Sequence, residues 1–157
     1  MSELKRPALD PATVPVQSGT GYPEPFRALV ARRQWQRLGD AVGLKSFGVN
    51  LVRLAPGVAS SQRHWHTRED EFVYVLEGEV VLVTDGGEQR LGPGMAAGFP
   101  AGVPDGHHFI NRSQDDVVLL VVGDRREEDA GRYPDIDLAA DRVDGKYRFT
   151  RKDGTPY

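Results

Sequence analysis

His64-Trp65-His66-Thr67-Arg68-Glu69-Asp70-Glu71-Phe72-Val73-Tyr74-Val75-Leu76-Glu77-Gly78 is the stretch on which the reading of this chain turns. Side chains at i and i+2 of a strand share a face, so His64 and His66 aim two imidazoles the same way and send Trp65 to the other side. The polar run Thr67-Arg68-Glu69-Asp70 suits a hairpin connection, after which Glu71 opens a second strand and faces back across the pair. Two imidazoles and a carboxylate on one face make most of a metal site. Counting by two from Glu71 puts Val73 and Val75 on that same inner face, and Phe72, Tyr74 and Leu76 on the other. Both faces are apolar, as in a wall that packs inside and is covered outside by sheet packing or a second subunit.

Outward from this stretch the texture stays β-rich. Short apolar runs at 46–54, 71–76, 79–84 and 88–91 are separated by Gly, Pro and Asp turns, a spacing that predicts an all-β sandwich or small barrel. Val117 to Val122 is a further strand, apolar on both faces and therefore central or packed at an interface. The chain has only four histidines, and the other two are adjacent, His107 and His108, in a strand that follows a Pro/Gly-rich loop. Adjacent strand residues point to opposite faces, so only one of this pair can join His64 and His66.

The ends of the chain read differently. Residues 1–25 hold five of the 11 prolines, too many for a helix or a central strand, and are expected to form an extended N-terminal arm. Phe26 to Leu38 starts with helical spacing and is expected to be a short helix running into a strand. Residues 26–123 are then the barrel domain. In 124–157, 17 of 34 side chains are charged, which predicts a solvated wrapping segment rather than a second core; a closing strand at Tyr147 to Thr150 is the one element signalled there.

Composition narrows the chemistry. At 157 residues the chain supports one core, with about 70% of its unfolded surface buried on folding. Twenty Lys and Arg against 23 Asp and Glu leave a net charge of −3, no footprint for nucleic acid or an anionic membrane. No apolar run has the length of a membrane span or a secretory signal, so a cytoplasmic location is expected. The absence of cysteine excludes disulfides, thiolate metal sites and cysteine nucleophiles. Any metal must be held by His and carboxylate, a set that suits one divalent transition ion among Fe, Mn, Ni, Co, Cu and Zn.

These residues resemble the cupin superfamily of small β-barrels. Its first motif, His-x-His, three or four residues, Glu, six residues, Gly, is met by His64, His66, Glu71 and Gly78. Its second, Gly, five residues, Pro-x-Gly, then His, three residues, Asn, is met by Gly94, Pro100, Gly102, His107 and Asn111. Two departures stand out: Gly57 lies one residue early, and four residues rather than two separate Gly102 from the histidine. The resemblance implies a cupin-type double-stranded β-helix (jelly-roll) barrel, with His64, His66, Glu71 and His107 as metal ligands. The spacing to Asn111 favours His107 over the alternative, His108, and places His107, Phe109 and Asn111 on the inner face.

Around that site the sequence points to a largely apolar pocket formed by Val73 and Phe109, with Asn111 beside them and Gln62 reached by counting back from His64. Gln62 there either meets a substrate or satisfies a structural partner. Arg63, Arg68, Glu69 and Asp70 read as solvated, and no inner-face Arg or Lys is evident in these strands. Four protein ligands on an octahedral ion leave two positions for substrate. The expected function is therefore a metal-dependent enzyme, an oxygenase (dioxygenase) or isomerase of a small hydroxylated or enolisable molecule. The alternative is a non-enzymatic module that binds or senses a small ligand. A homodimer is expected from the doubly apolar strands and the Pro-rich arm.

Overall fold

The computed structural model describes residues 4–157, so the first three residues of the expected arm lie outside it. Thirteen strands follow in order: β1 (Gln17–Ser18), β2 (Gln34–Arg37), β3 (Phe47–Leu54), β4 (Trp65–His66), β5 (Glu71–Glu77), β6 (Val80–Thr84) and β7 (Gly87–Leu91). They continue with β8 (Ala96–Phe99), β9 (His108–Ile110), β10 (Val117–Asp124), β11 (Ala130–Arg132), β12 (Ala139–Val143) and β13 (Lys146–Thr150). The one α-helix among the described residues is a single turn, α1 (Leu38–Ala41). No described helix is long and apolar enough to cross a membrane.

All strand pairing is antiparallel, in the pattern typical of a cupin jelly-roll. One sheet runs β1-β2-β3-β10-β5-β8, a second β7-β6-β9, and a third β13-β12-β11-β4. The apolar run Val117–Val122 sits in β10, paired on one side with β3 and on the other with β5. Register assigns the faces: Val73 and Val75 of β5 stand opposite Val121 and Leu119 of β10, which stand opposite Asn50 and Val52 of β3. Those residues face the second sheet. Val52, Leu54, Val73, Val75, Leu119, Val80, Leu82 and Phe109 form the main core between them. Phe72, Tyr74 and Leu76 alternate with Val73 and Val75 and remain 46%, 36% and 41% exposed. Gly78 follows β5 at φ +77°, and a Cβ there would stand 2.6 Å from the Asp116 carbonyl, so the turn into β6 requires glycine.

Three expectations at the ends of the chain are revised. Residues 26–37 contain no α-helix; a 3₁₀ turn at Glu24–Phe26 and further turns lead into β2, and the helical turn, α1, begins only at Leu38, after the strand. Pro23 and Pro25 supply no amide hydrogens there, and β2 has an edge of β3 to pair with. The arm itself is tied down, since Gln17 and Ser18 pair with Trp35 and Gln34. The charged segment is more than a solvated wrap: β11, β12 and β13 pair in sequence and β11 pairs with β4. Its apolar residues Tyr133, Leu138 and Ala140 form a second cluster with Tyr22 and Val30 of the N-terminal region. Charge counted along the sequence conceals this, because alternate strand residues can be charged on one face and buried on the other.

Candidate metal centre

The local backbone explains why the histidines meet. His64 and His107 form an isolated antiparallel bridge, each amide donating to the other's carbonyl at 3.1 and 2.8 Å. Their rings lie side by side, with centroids 5.2 Å apart. His66 is held by pairing of β4 with Gly131 of β11, and Glu71 enters at the start of β5, opposite Phe99 of β8 and Gly123 of β10. One donor atom from each of His64, His66 and Glu71 falls within a common 4.8 Å. His107 Nε2 lies 3.6 Å from Glu71 Oε1, and His66 Nε2 lies 3.8 Å from Glu71 Oε2.

The hydrogen bonds orient these donors. His64 Nδ1 faces the Gln62 carbonyl at 2.9 Å and His66 Nδ1 faces Asp129 Oδ2 at 2.7 Å. Each Nδ1 therefore carries the proton, which leaves both Nε2 atoms as lone pairs pointing at one another across 3.1 Å. Two facing lone pairs repel unless a proton or a metal ion lies between them. Ligand bonds of about 2.0–2.2 Å place neighbouring donors about 3 Å apart, matching that separation. Both ring nitrogens of His107 are buried and have no hydrogen-bond partner, a costly state that a metal ion on Nε2, the nitrogen facing Glu71, would relieve at that atom. The donor set fits one divalent ion.

The protonation states of His64 and Glu71 agree. For His66, burial opposes the charged form, but the hydrogen bond to Asp129, with Glu71 nearby, raises the pKa and holds a proton that a metal ion would displace. Burial, followed by the neighbouring His66, pushes His64 down to about 3, so it is neutral at physiological pH. Burial alone would raise Glu71, but the adjacent His107, with His64 and His66, holds it down to about 2, an ionised carboxylate. Asp129 is the functional residue that the sequence reading missed. Its side chain is fully buried and accepts from His66, from the Arg68 and Glu69 amides at 2.9 and 3.2 Å, and from the Tyr147 hydroxyl at 2.8 Å. Although His66, Glu69 and Asp129 also cluster, Asp129 has spent its oxygens on these donors and acts as the carboxylate that orients His66.

The remaining candidates separate cleanly. His108 turns its Nδ1 to the Ser61 carbonyl at 3.0 Å, outside the His/Glu group. Val73 and Phe109 line a cavity of about 540 Å³ whose inner end is His64 and Glu71. Gln62 is not part of that cavity; its amide donates to the Phe26 carbonyl at 2.9 Å and anchors the N-terminal region. The expectation of a substrate contact fails because 60–63 is a series of bends, where counting by two does not hold. Asn111 is likewise corrected to a structural role: fully buried, it donates to Leu54 and Asp115 carbonyls at 2.8 and 2.7 Å and accepts from Ser113. Glu69, expected to be solvated, is only 13% exposed, bonded to Arg142 at 2.6 Å, and lines the cavity beside Glu71 and Tyr147. The cavity also has arginines on its wall, Arg33, Arg37 and Arg125, none of them in the motif strands.

The "Cupin domain" family model matches residues 50–123. A cupin-superfamily sugar phosphate isomerase from Silicibacter pomeroyi is 47% identical, each chain being 96% covered, with a TM-score of 0.93. This chain belongs to the cupin superfamily. A candidate sugar phosphate isomerase from Acidithiobacillus ferrooxidans is 32% identical over 81% of each chain, with a TM-score of 0.73. The polyketide cyclase RemF from Streptomyces resistomycificus shares the fold at 24% identity, a TM-score of 0.65 and coverage of 85% of this chain and 87% of that one. No protein of curated function matches the chain.

Proposed function

We propose that this cupin is a metal-dependent isomerase of a small sugar phosphate. The observation that carries the reading is the near-full-length similarity to the Silicibacter pomeroyi sugar phosphate isomerase, in a chain whose cavity ends on the His64/Glu71 cluster. In this reading His64, His66, Glu71 and His107 hold the ion, and the unpartnered nitrogens of His107 are the strongest support for including it. A divalent metal there supplies Lewis-acid polarisation of a substrate oxygen. The chain's own residues do the rest. Asp129 fixes the His66 ring; Val73, Phe109, Leu119 and Val121 exclude water from the inner wall; Glu69 and Tyr147, beside Glu71, stand where a proton would be passed to or from the substrate.

The same reading covers the assembly. The sheets close into a small jelly-roll barrel at 26–123, with 1–25 as an arm and 124–157 as a paired β-segment joined to it through β4; the protein is cytoplasmic, contacts neither nucleic acid nor membrane, and pairs as a homodimer through the exposed Phe72, Tyr74 and Leu76 face. The test is interconversion of aldose and ketose phosphates followed by NMR, with protein reconstituted with single divalent metals. Turnover of at least one substrate, lost on chelation, is expected. Metal-loaded protein that binds sugar phosphates and converts none would sink the isomerase reading and return the non-enzymatic binding alternative.

A further inference from the structure

The three arginines on the cavity wall are not equivalent. Arg37 lies 3.9 Å from Asp40, and Arg125 is hydrogen-bonded to the same carboxylate. Arg33 has no carboxylate within 4.0 Å among the described residues, so nothing on the chain pairs its charge there. Its guanidinium sits 5.1 Å over the Trp35 ring, and Nη1 donates to the Ser60 carbonyl. Nε is buried without an acceptor, and Nη2 makes no hydrogen bond among the described residues. The cavity's carboxylates, Asp40, Glu69, Glu71 and Asp124, all stand beyond 4.0 Å of the Arg33 guanidinium, and the phenols of Tyr22 and Tyr133 hydrogen-bond each other at 3.4 Å and are held neutral, their acidity suppressed by burial.

A guanidinium does not escape such a setting by losing its proton, so a half-buried, uncompensated arginine in a cavity is a site for an anion. The cavity that Arg33 lines is the one that ends on His64 and Glu71, and its volume of about 540 Å³ accommodates one small molecule touching both. We infer that Arg33 anchors the phosphoryl group of the substrate, with Trp35 as the platform behind it and the opposite end of the molecule directed to the His/Glu cluster. This rests on the sugar phosphate reading for the substrate class, but the anchor is testable without turnover. A planar fork suits phosphate oxygens, and stacking on Trp35 fixes its plane. Arg33 is a binding and specificity residue, and its contribution falls on phosphorylated substrates alone.

The experiment titrates metal-free protein with inorganic phosphate at constant ionic strength, read by Trp35 fluorescence in a Trp65→Phe background, since Trp65 is the other tryptophan. Saturable binding is expected, weakened about tenfold or more by Arg33→Gln and several-fold by Arg33→Lys, and unchanged by Arg32→Gln, whose guanidinium bonds the Pro56 carbonyl at 3.0 Å. Near-UV circular dichroism checks that the variants fold. If Arg33→Gln does not, the lysine variant decides, because it keeps the charge and removes only the fork. Equal affinity in wild type and both folded variants, no saturable response in wild type, or tighter binding of succinate than of phosphate would each overturn the assignment. Should the protein isomerise a sugar phosphate, Arg33→Gln is expected to raise its KM while leaving the unphosphorylated sugar unaffected; absence of turnover with Arg33-dependent phosphate binding would reject the isomerase reading and leave the anchor standing.

Discussion

The two ends of the cavity are built in different ways. At the inner end, His64 and His107 form an isolated bridge, His66 lies on β4 paired to β11, and Glu71 opens β5, paired to β10 and β8, so no single hairpin carries them. At the wall, Arg33 precedes β2, Arg37 closes it and Arg125 follows β10, so that the lining depends on long-range register: Arg37 opposite Asn50, and Asp124 opposite Phe47. The inner end draws on residues at short, fixed spacings, His64, His66 and Glu71 falling within eight positions, although their pairing partners are distant in the chain. The wall is fixed by which strand lies beside which, and that is a property of the assembled sheet. A chemistry-bearing centre can therefore keep its pattern while the residues that choose the substrate vary beside it.

Breaking the inner end should have the largest effect. His107→Ala is expected to weaken metal binding by about a hundredfold or more, while His108→Ala leaves it unchanged; calorimetric titration with a single metal reads both, and equal losses would reassign the fourth ligand. Glu69→Gln should lower kcat by about a hundredfold with metal content intact, and a fall in metal content instead would make Glu69 a ligand through the His66/Glu69/Asp129 cluster. Asp129→Asn should weaken metal binding about 10- to 100-fold, since an amide cannot replace the charge that orients His66. Asn111→Ala should cost about 2–3 kcal/mol in urea unfolding without altering metal affinity, because its bonds hold Leu54, Ser113 and Asp115 rather than a ligand.

The smallest effect concerns Asp135, which two 2.7 Å bonds from Arg63 hold below the ordinary carboxylate range. A depressed folded-state pKa stabilises above the unfolded value, near 3.8, and the benefit disappears as pH falls through the folded value. Arg63→Gln should thus lower stability modestly at neutral pH. The gap from wild type should narrow below about 3.8 on acid titration followed by circular dichroism; a gap constant with pH would mean that Arg63 acts through its Gly106 contact alone.

Much of this was readable from particular residues. The inward Val73 and outward Phe72 and Tyr74 of β5, and the inward Phe109 of β9, follow from a period of two in continuous strands, whereas His64, His66, Glu71 and His107 were legible from their motif spacing. Where the chain bends, the period fails, and Gln62 is the example. Asp129 was hidden among nine acidic residues in 124–157, with no local signal to distinguish the one that crosses to His66. Glu69 read as solvated because a turn position says nothing of Arg142, which lies 73 residues away. Arg33 was concealed in a stretch with helical spacing that folds as turns and a strand.

The central claim is that one ion held by the His/Glu cluster organises the site. The most direct measurement is metal content by elemental analysis of wild type and Glu71→Gln after reconstitution and removal of free ions. One divalent ion per chain in wild type, lost in a folded Glu71→Gln, is the predicted result. A wild type that retains none of the divalent ions offered, or a variant that retains a full complement, would contradict it.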